Sequence, residues 1–187
     1  MLNRGFTLLE MLLVLIMIAM ITSSIMAFYP RWHFSLIAEF QKNHLRQATT
    51  QALSGLIKDI KRAGFIANIP STVRQSAIDI NTMGNCIIIR YDANSRGNWH
   101  YDPINPQLSD IFAYRYVKHN LESQTGVEHC KNTASRWEKL FDPNEIILTD
   151  FNVSQHNHYI KLRLSVSLKY HTKIDYHVML YIKNENS

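Results

Sequence analysis

The hydrophobic pattern of the chain begins with one long apolar segment. Residues 5–28 read GFTLLEMLLVLIMIAMITSSIMAF, and Glu10 is the only charged residue among them. An apolar run of about 20 residues matches the thickness of the hydrocarbon layer that a membrane-spanning helix crosses. The pattern therefore predicts a transmembrane helix over residues 6–29.

A second helical pattern begins at Pro30. Apolar residues recur every three or four positions, and basic residues occupy the other faces, which is typical of an amphipathic helix. Pro30 removes a backbone donor, so we expect a kink or an interruption there, whereas Gly64 favours the end of a helix. We therefore predict an amphipathic helix over residues 30–64. Its apolar stripe comprises Leu45, Ala48, Ala52, Leu56, Ile60 and Ala63.

Beyond residue 64 the period of the pattern changes to two, which is the period of a β-strand. Apolar and polar residues alternate over 160–170 and again over 174–182, and only three residues separate the two runs. This spacing predicts an antiparallel hairpin of two long strands, with one apolar face and one solvated face. Shorter strands are predicted at 86–91, 111–118 and 145–153.

The two patterns together indicate a fold class. The apolar stripe of the helix matches what the apolar face of the sheet requires. We therefore expect an α+β protein in which one long N-terminal helix, half transmembrane and half amphipathic, packs on an antiparallel β-rich domain over residues 65–187.

Composition and charge limit the classes of function that are expected of the chain. The chain has 187 residues, enough for one ordinary domain with an appended segment. Its net charge is +5, but the 20 Lys and Arg residues are scattered. This balance permits contact with DNA or anionic lipid without requiring either. The sequence has no nucleophile elbow, phosphate-binding glycine loop or zinc signature. We therefore expect a protein that is not an enzyme and has no cofactor.

Glu10 distinguishes between the possible meanings of the apolar segment. A secretory signal peptide would have an apolar region of about 7 to 15 residues and a small-residue cleavage site. The segment here is longer and has no such site. An ordinary membrane anchor fits the length, but a carboxylate in a spanning helix costs a few kcal/mol and marks a functional site. Either Glu10 has a partner, or it lies near the headgroups, where it reaches water.

The residues from Arg4 to Glu10, RGFTLLE, and the apolar helix after them resemble the class III leader and N-terminal helix of type IV pilins and pseudopilins. In that family a prepilin peptidase cuts after the glycine and methylates the new N-terminus. The resemblance implies a type IV pilin-like fold, a leader over residues 1–5, cleavage between Gly5 and Phe6, and N-methylation of Phe6.

The resemblance also implies a partner for Glu10. In the assembled filament its carboxylate would face the N-terminal amine of a neighbouring subunit. Two unit charges about 4 Å apart attract by about 4 kcal/mol at an effective dielectric constant of 20, which offsets a burial cost of similar size. Glu10 would then fix the register between subunits.

The same resemblance implies a location and a set of partners. The chain would be a single-pass inner-membrane protein with a periplasmic globular domain, and it would enter an extracellular or periplasmic filament. Arg4 in the leader favours a cytoplasmic N-terminus. The implied partners are prepilin peptidase, other minor and major pilins or pseudopilins that contact the N-terminal helix, and the inner-membrane assembly platform.

The expected redox state of the two cysteines, Cys86 and Cys130, depends on this location. Outside the cytoplasmic membrane the environment is oxidising, so we expect a disulfide between them. Such a bond would close a loop of about 44 residues and stabilise the domain by about 4 kcal/mol. The alternative is two unpaired buried thiols.

Two patterns suggest metal ligands only weakly. Asp92 and Asn94 match the start of a calcium loop, but later positions of that loop lack the oxygens that calcium requires. We interpret this segment as an Asx-rich turn. His156 and His158 would share one face of a strand but lack a third ligand. We therefore expect surface histidines and no metal site.

Further segments refine the resemblance. The helix end at 59–65, the cysteine-containing segment 84–99 and the alternating C-terminal region are similar to the prepilin peptidase-dependent protein B group, which belongs with W-type minor pilins and J-type pseudopilins. This similarity implies a minor subunit that primes or caps assembly of a type IV pilus or competence pseudopilus, in some bacteria in support of DNA uptake.

Two alternatives remain open. The first is a J-type pseudopilin of type II protein secretion, in which the same helix would serve protein export. The second is a DNA-binding pilus-tip protein that contacts phosphates through Lys161, Arg163 and Lys169. A solvated strand face is the explanation that we favour for these three basic residues.

Overall fold

A computed structural model describes residues 7–67, 75–131, 136–157 and 159–186. The chain divides into two compact units, Met1–Gln41 and Lys42–Ser187. One helix, α1 (Leu8–Arg62), contributes to both units. The strands are β1 (Ile78–Ile80), β2 (Cys86–Arg90), β3 (Ile111–Val117), β4 (Asn120–Thr125), β5 (Glu138–Lys139), β6 (Ile146–His156), β7 (Tyr159–Leu168) and β8 (Asp175–Lys183).

The first unit contains the N-terminal part of α1. Every side chain from residue 7 to residue 40 is exposed, and the helix continues through Pro30. By length and composition this helix is able to cross a membrane. The hydroxyls of Thr22 and Ser24 donate to helix carbonyls one turn earlier, at 2.9 Å each. Polar side chains inside the apolar segment are thus satisfied within the helix itself, as a lipid environment requires.

In the second unit the rest of α1 packs on the β-sheets. The predicted apolar stripe is confirmed, since Leu45, Leu56 and Ile60 are completely buried in the main hydrophobic core. The helix ends where the sequence indicates, with Gly64 in the left-handed conformation at φ +85°. The side-chain amide of Asn186 donates to the carbonyl of Arg62 at 3.2 Å, so the C-terminal residues cap this end of the helix.

The strands form two antiparallel sheets. One has five strands in the order β1-β2-β3-β4-β5, and the other has three in the order β6-β7-β8. The predicted α+β fold class is therefore confirmed, and the predicted C-terminal hairpin is the β7–β8 pair. The alternation along β7 faces inward as expected, since Ile160, Leu162, Leu164 and Val166 are all buried.

Three strands were not predicted. β1 and β5 are only three and two residues long, which is too short to show a period. β4 has the sequence NLESQT, and the structure buries Asn120 and Glu122 beside Leu121. A polar strand of this kind has no apolar alternation to detect. β6 also extends to His156, beyond the predicted end at residue 153.

Gly84 connects the two sheets at the turn between β1 and β2. The backbone N–H of Val153 in β6 donates to the Gly84 carbonyl at 2.7 Å. The φ of Gly84 is +69°, and a Cβ at this position would lie 2.7 Å from the Val153 carbonyl oxygen. The close approach of the turn to β6 thus requires a residue without a side chain.

Candidate functional site

The first turn of α1 contains the carboxylate that the sequence singled out. The backbone N–H of Thr7 donates to Oε2 of Glu10 at 3.0 Å, and the Thr7 hydroxyl donates to the same oxygen at 3.1 Å. In return the Glu10 N–H donates to the Thr7 hydroxyl at 3.4 Å. This reciprocal pair is a capping box, which satisfies backbone donors at a helix start. Glu10 therefore has a partner inside its own chain.

The helix after Glu10 presents an exposed apolar surface. The predicted transmembrane segment ends at residue 29, but exposed large apolar side chains continue for eleven further residues. Trp32, Phe34 and Phe40 are 57%, 70% and 73% exposed. The first buried residue of α1 is Leu45. An uncovered apolar helix of this length requires lipid or other helices around it.

Gly5 and Phe6, the predicted cleavage and methylation residues, lie outside the described residues. The first described residue is Thr7, which follows Phe6 directly. Cleavage after Gly5 and methylation of Phe6 stay predictions. Glu10 is four residues from Phe6 in the sequence.

In the globular unit the structure joins Cys86 and Cys130 in a disulfide, with 6.3 Å between their Cα atoms. The bond connects β2 to the segment after β4. Arg115, the register partner of Cys86 in β3, holds the same segment, because its Nη1 donates to the Cys130 carbonyl at 2.8 Å. Its guanidinium also contacts Glu122 at 2.8 Å and lies 3.8 Å from the ring centre of Trp137. The cross-linked segment is therefore anchored by ionic and aromatic contacts as well as covalently.

A buried carboxylate connects α1 to the five-stranded sheet. The hydroxyl of Tyr91 donates to Oδ1 of Asp59 at 2.9 Å, and that of Tyr114 donates to Oδ2 at 2.7 Å. Burial raises the pKa of the Asp59 carboxyl above its ordinary value, against the lowering effect of the two hydroxyls and of nearby Lys58 and Arg62. Burial beside this carboxyl also raises the pKa of both tyrosines. The cluster orients the helix on the sheet.

The carboxylate of Asp92, the calcium candidate, accepts hydrogen bonds from backbone groups of its own turn. Oδ1 of Asp92 accepts the Arg96 N–H at 2.8 Å, and Oδ2 accepts the Gly97 N–H at 2.7 Å. Burial alone would raise the pKa of Asp92, but these and further backbone donors lower it below its ordinary value. Asn94 is exposed. The carboxylate thus stabilises its own turn, and across the described ranges no group of three His, Cys, Asp or Glu residues is placed to hold a metal ion.

The remaining candidates lie on the solvated face of the three-stranded sheet. Arg163 donates to Oδ2 of Asp150 at 2.7 Å, and Lys169 donates to the Pro143 carbonyl at 3.1 Å. Lys161 lies 5.9 Å from the ring centre of Tyr181. His156 is exposed and contacts the Ser154 hydroxyl at 3.3 Å, while His158 lies outside the described residues. The predicted basic stripe is therefore partly neutralised within the domain.

Two of these features, the capping box of Thr7 and Glu10 and the burial of Asp59, were not predicted although the sequence contains a pattern for each. Thr7 and Glu10 are spaced as T-x-x-E before an apolar run, which is the pattern of a capping box. Asp59 falls between Leu56 and Ala63 on the apolar stripe, so burial of its carboxylate follows from helical periodicity. The two tyrosine partners come from β3 and the end of β2, and no local pattern connects them to the helix.

Comparisons with known proteins place this chain in a family. A family profile described as prepilin peptidase-dependent protein B matches residues 38–184, which begin after the N-terminal motif. The chain is also 27% identical over 151 residues to prepilin peptidase-dependent protein B of Escherichia coli (strain K12), an alignment covering 81% of this chain and 77% of that protein. No solved structure matches the chain significantly. The predicted resemblance is confirmed: the chain belongs to the prepilin peptidase-dependent protein B family.

Proposed function

We propose that this protein is a minor pilin or pseudopilin that primes or caps assembly of a type IV pilus or competence pseudopilus. One observation carries the proposal. A carboxylate, Glu10, lies in the first turn of an apolar helix whose side chains are exposed through residue 40. Such a helix is suited to lie in a bilayer before assembly and among other helices afterwards.

The geometry of the first turn supports a role for Glu10 in assembly. Prepilin peptidase would cut after Gly5 and create an amine on Phe6, one residue before Thr7. In the isolated chain the Glu10 carboxylate accepts two hydrogen bonds from Thr7. In a filament it would also face the positive amine of a neighbouring subunit, and this charge pair favours the correct register. Other pilins or pseudopilins and the inner-membrane assembly platform are the partners that this role requires.

The helix and the disulfide support a location for this chain. The N-terminal helix would anchor the chain in the inner membrane, with its N-terminus in the cytoplasm. The bond between Cys86 and Cys130 supports a periplasmic position for the globular unit, because disulfides persist in oxidising compartments. The chain would leave the membrane when it enters the filament.

The experiment compares Glu10→Gln with Glu10→Ala in cells that express the full chain. Glu10→Gln keeps a hydrogen-bond acceptor for Thr7 and removes the negative charge. We expect both variants to be cleaved but to enter filaments at roughly a tenth of the wild-type level or less, because the charge pair is lost. The matched control is Ser23→Ala, which removes a hydroxyl that donates to the Met20 carbonyl of the same helix at 3.0 Å.

The readouts are the leader-free fraction by mass spectrometry and the amount of chain in sheared or periplasmic filaments. Wild-type incorporation by Glu10→Gln would overturn the role of the charge. The accompanying phenotype identifies the system: loss of DNA uptake assigns a competence pseudopilus, and loss of protein export assigns a J-type pseudopilin of type II secretion instead.

A further inference from the structure

On the solvated face of the three-stranded sheet, tyrosine and lysine side chains lie together near the β6–β7 hairpin. Two register pairs lie side by side there, Tyr159 with Lys183 and Lys161 with Tyr181. Each pair combines one tyrosine with one lysine, and the tyrosines are 48% and 63% exposed. We call these four residues the tyrosine–lysine patch.

Two other residues of the same sheet contact carboxylates of the domain. Arg163 contacts Asp150 at 2.7 Å and His177 contacts Asp175 at 2.6 Å. Among the residues that the structure describes, no carboxylate lies within ion-pair distance of Lys161 or Lys183. The two lysines of the patch are therefore able to pair with an external anion.

The two tyrosines of the patch add exposed aromatic rings beside the lysines. Side chains at diagonal positions of an antiparallel pair lie about 7 to 8 Å apart, so Tyr159 and Tyr181 are close neighbours on this face. Exposed aromatic rings interleaved with basic side chains are what proteins use to bind single-stranded nucleic acid, where bases stack on rings and phosphates contact lysines. The major groove of a duplex admits an α-helix or a two-stranded β-ribbon, whereas this patch lies on the face of a three-stranded sheet, so an unpaired strand suits it better.

We propose that the tyrosine–lysine patch binds single-stranded nucleic acid. Lys161 and Lys183 contact backbone phosphates, and bases stack on Tyr159 and Tyr181. The patch lies on β7 and β8 and uses no residue of the N-terminal helix. This activity is therefore separate from filament assembly and is tested without it.

The test measures fluorescence anisotropy of a labelled oligothymidylate of about 16 nucleotides with the full chain in neutral detergent. We expect binding that weakens as salt rises from about 50 to 200 mM, with a slope near −0.7 for each phosphate contact. Lys161→Ala with Lys183→Ala should reduce that slope by about 1.4. Tyr159→Ala with Tyr181→Ala should weaken binding roughly tenfold or more at unchanged slope.

The matched control removes two lysines from the opposite end of the hairpin, Lys169→Ala with Lys173→Ala, and should leave both affinity and slope within about twofold of wild type. Each variant is compared only if its thermal unfolding midpoint matches that of wild type. Three outcomes overturn the proposal: no binding at low salt, equal losses in the control variant, or equal binding of heparin and of duplex DNA with no effect of the tyrosine changes.

Discussion

The hydroxyl of Tyr114 donates a 2.7 Å hydrogen bond to Oδ2 of Asp59, so β3 is joined to the last turns of α1 inside the core. The same carboxylate accepts from Tyr91. Both oxygens of a single buried side chain are thus used to fix the position of the helix on the sheet. The C-terminal part of α1 is therefore held on the sheet by a specific polar contact as well as by apolar packing.

Removal of the Asp59 carboxylate should destabilise the domain. We expect Asp59→Ala to lower the free energy of unfolding by about 2–4 kcal/mol, because two buried tyrosine hydroxyls lose their acceptor. Asp59→Asn is the matched control, since an amide accepts from one tyrosine and donates to the other, and its cost should be less than about 1 kcal/mol. Urea unfolding of the full chain, followed by near-UV circular dichroism, measures both. Equal stability of wild type and Asp59→Ala would contradict the role of the cluster.

Asp59 should also make stability depend on pH. Its pKa in the folded protein is raised above the ordinary value of 3.8, so the folded state binds the proton more tightly than the unfolded state. The contribution is fully present below that ordinary value and is lost as pH rises through the raised pKa. Unfolding experiments across this range should show a steeper loss of stability in wild type than in Asp59→Asn. Parallel curves for the two proteins would exclude Asp59 as the source.

The disulfide should account for a large part of the stability of the globular unit. We expect Cys86→Ser with Cys130→Ser to lower the free energy of unfolding by about 4 kcal/mol, because the unfolded chain loses a closed loop of 44 residues. Treatment of wild type with a reductant should produce a similar loss and should not affect the double variant. Two alkylatable thiols in the folded, unreduced protein would disprove the bond.

Gly84 should tolerate no side chain. We expect Gly84→Ala to lower the free energy of unfolding by more than about 1 kcal/mol, since the added Cβ meets the Val153 carbonyl and the left-handed φ strains alanine. Gly55→Ala is the control, because Gly55 is exposed on α1, an added Cβ there meets the Tyr114 hydroxyl at an ordinary van der Waals distance of 3.4 Å, and alanine favours the helix. The control should match or exceed the wild-type unfolding midpoint. A Gly84→Ala protein as stable as the control would show that the contact between the sheets is unimportant.

The sequence predicted the elements that have a long, regular period. β7 and β8 alternate over nine or more residues, and the stripe on α1 repeats over five turns, so packing on one face dictates their pattern. β4 was not predicted because it buries Asn120 and Glu122, whose contacts come from the segment after β5 and from β3. A polar residue buried by a distant partner leaves no local signal.

Some parts of the candidate site could be predicted from the sequence, and other parts could not. The motif that ends at Glu10 is local, so the sequence alone identified it, and the capping contact with Thr7 follows from the same spacing. The Asp59 cluster and the tyrosine–lysine patch depend on residues brought together across strands. Strand register determines those contacts, and a single sequence fixes register only where one face is uniformly apolar.

Processing as a pilin is tested most directly by the intact mass of the protein from cells with and without prepilin peptidase, for wild type and Gly5→Ala. We expect wild type to lose residues 1–5 and to gain one methyl group on Phe6 only where the peptidase is present, and Gly5→Ala to keep its leader. Retention of the leader by wild type in peptidase-containing cells would show that the chain is not processed as a pilin.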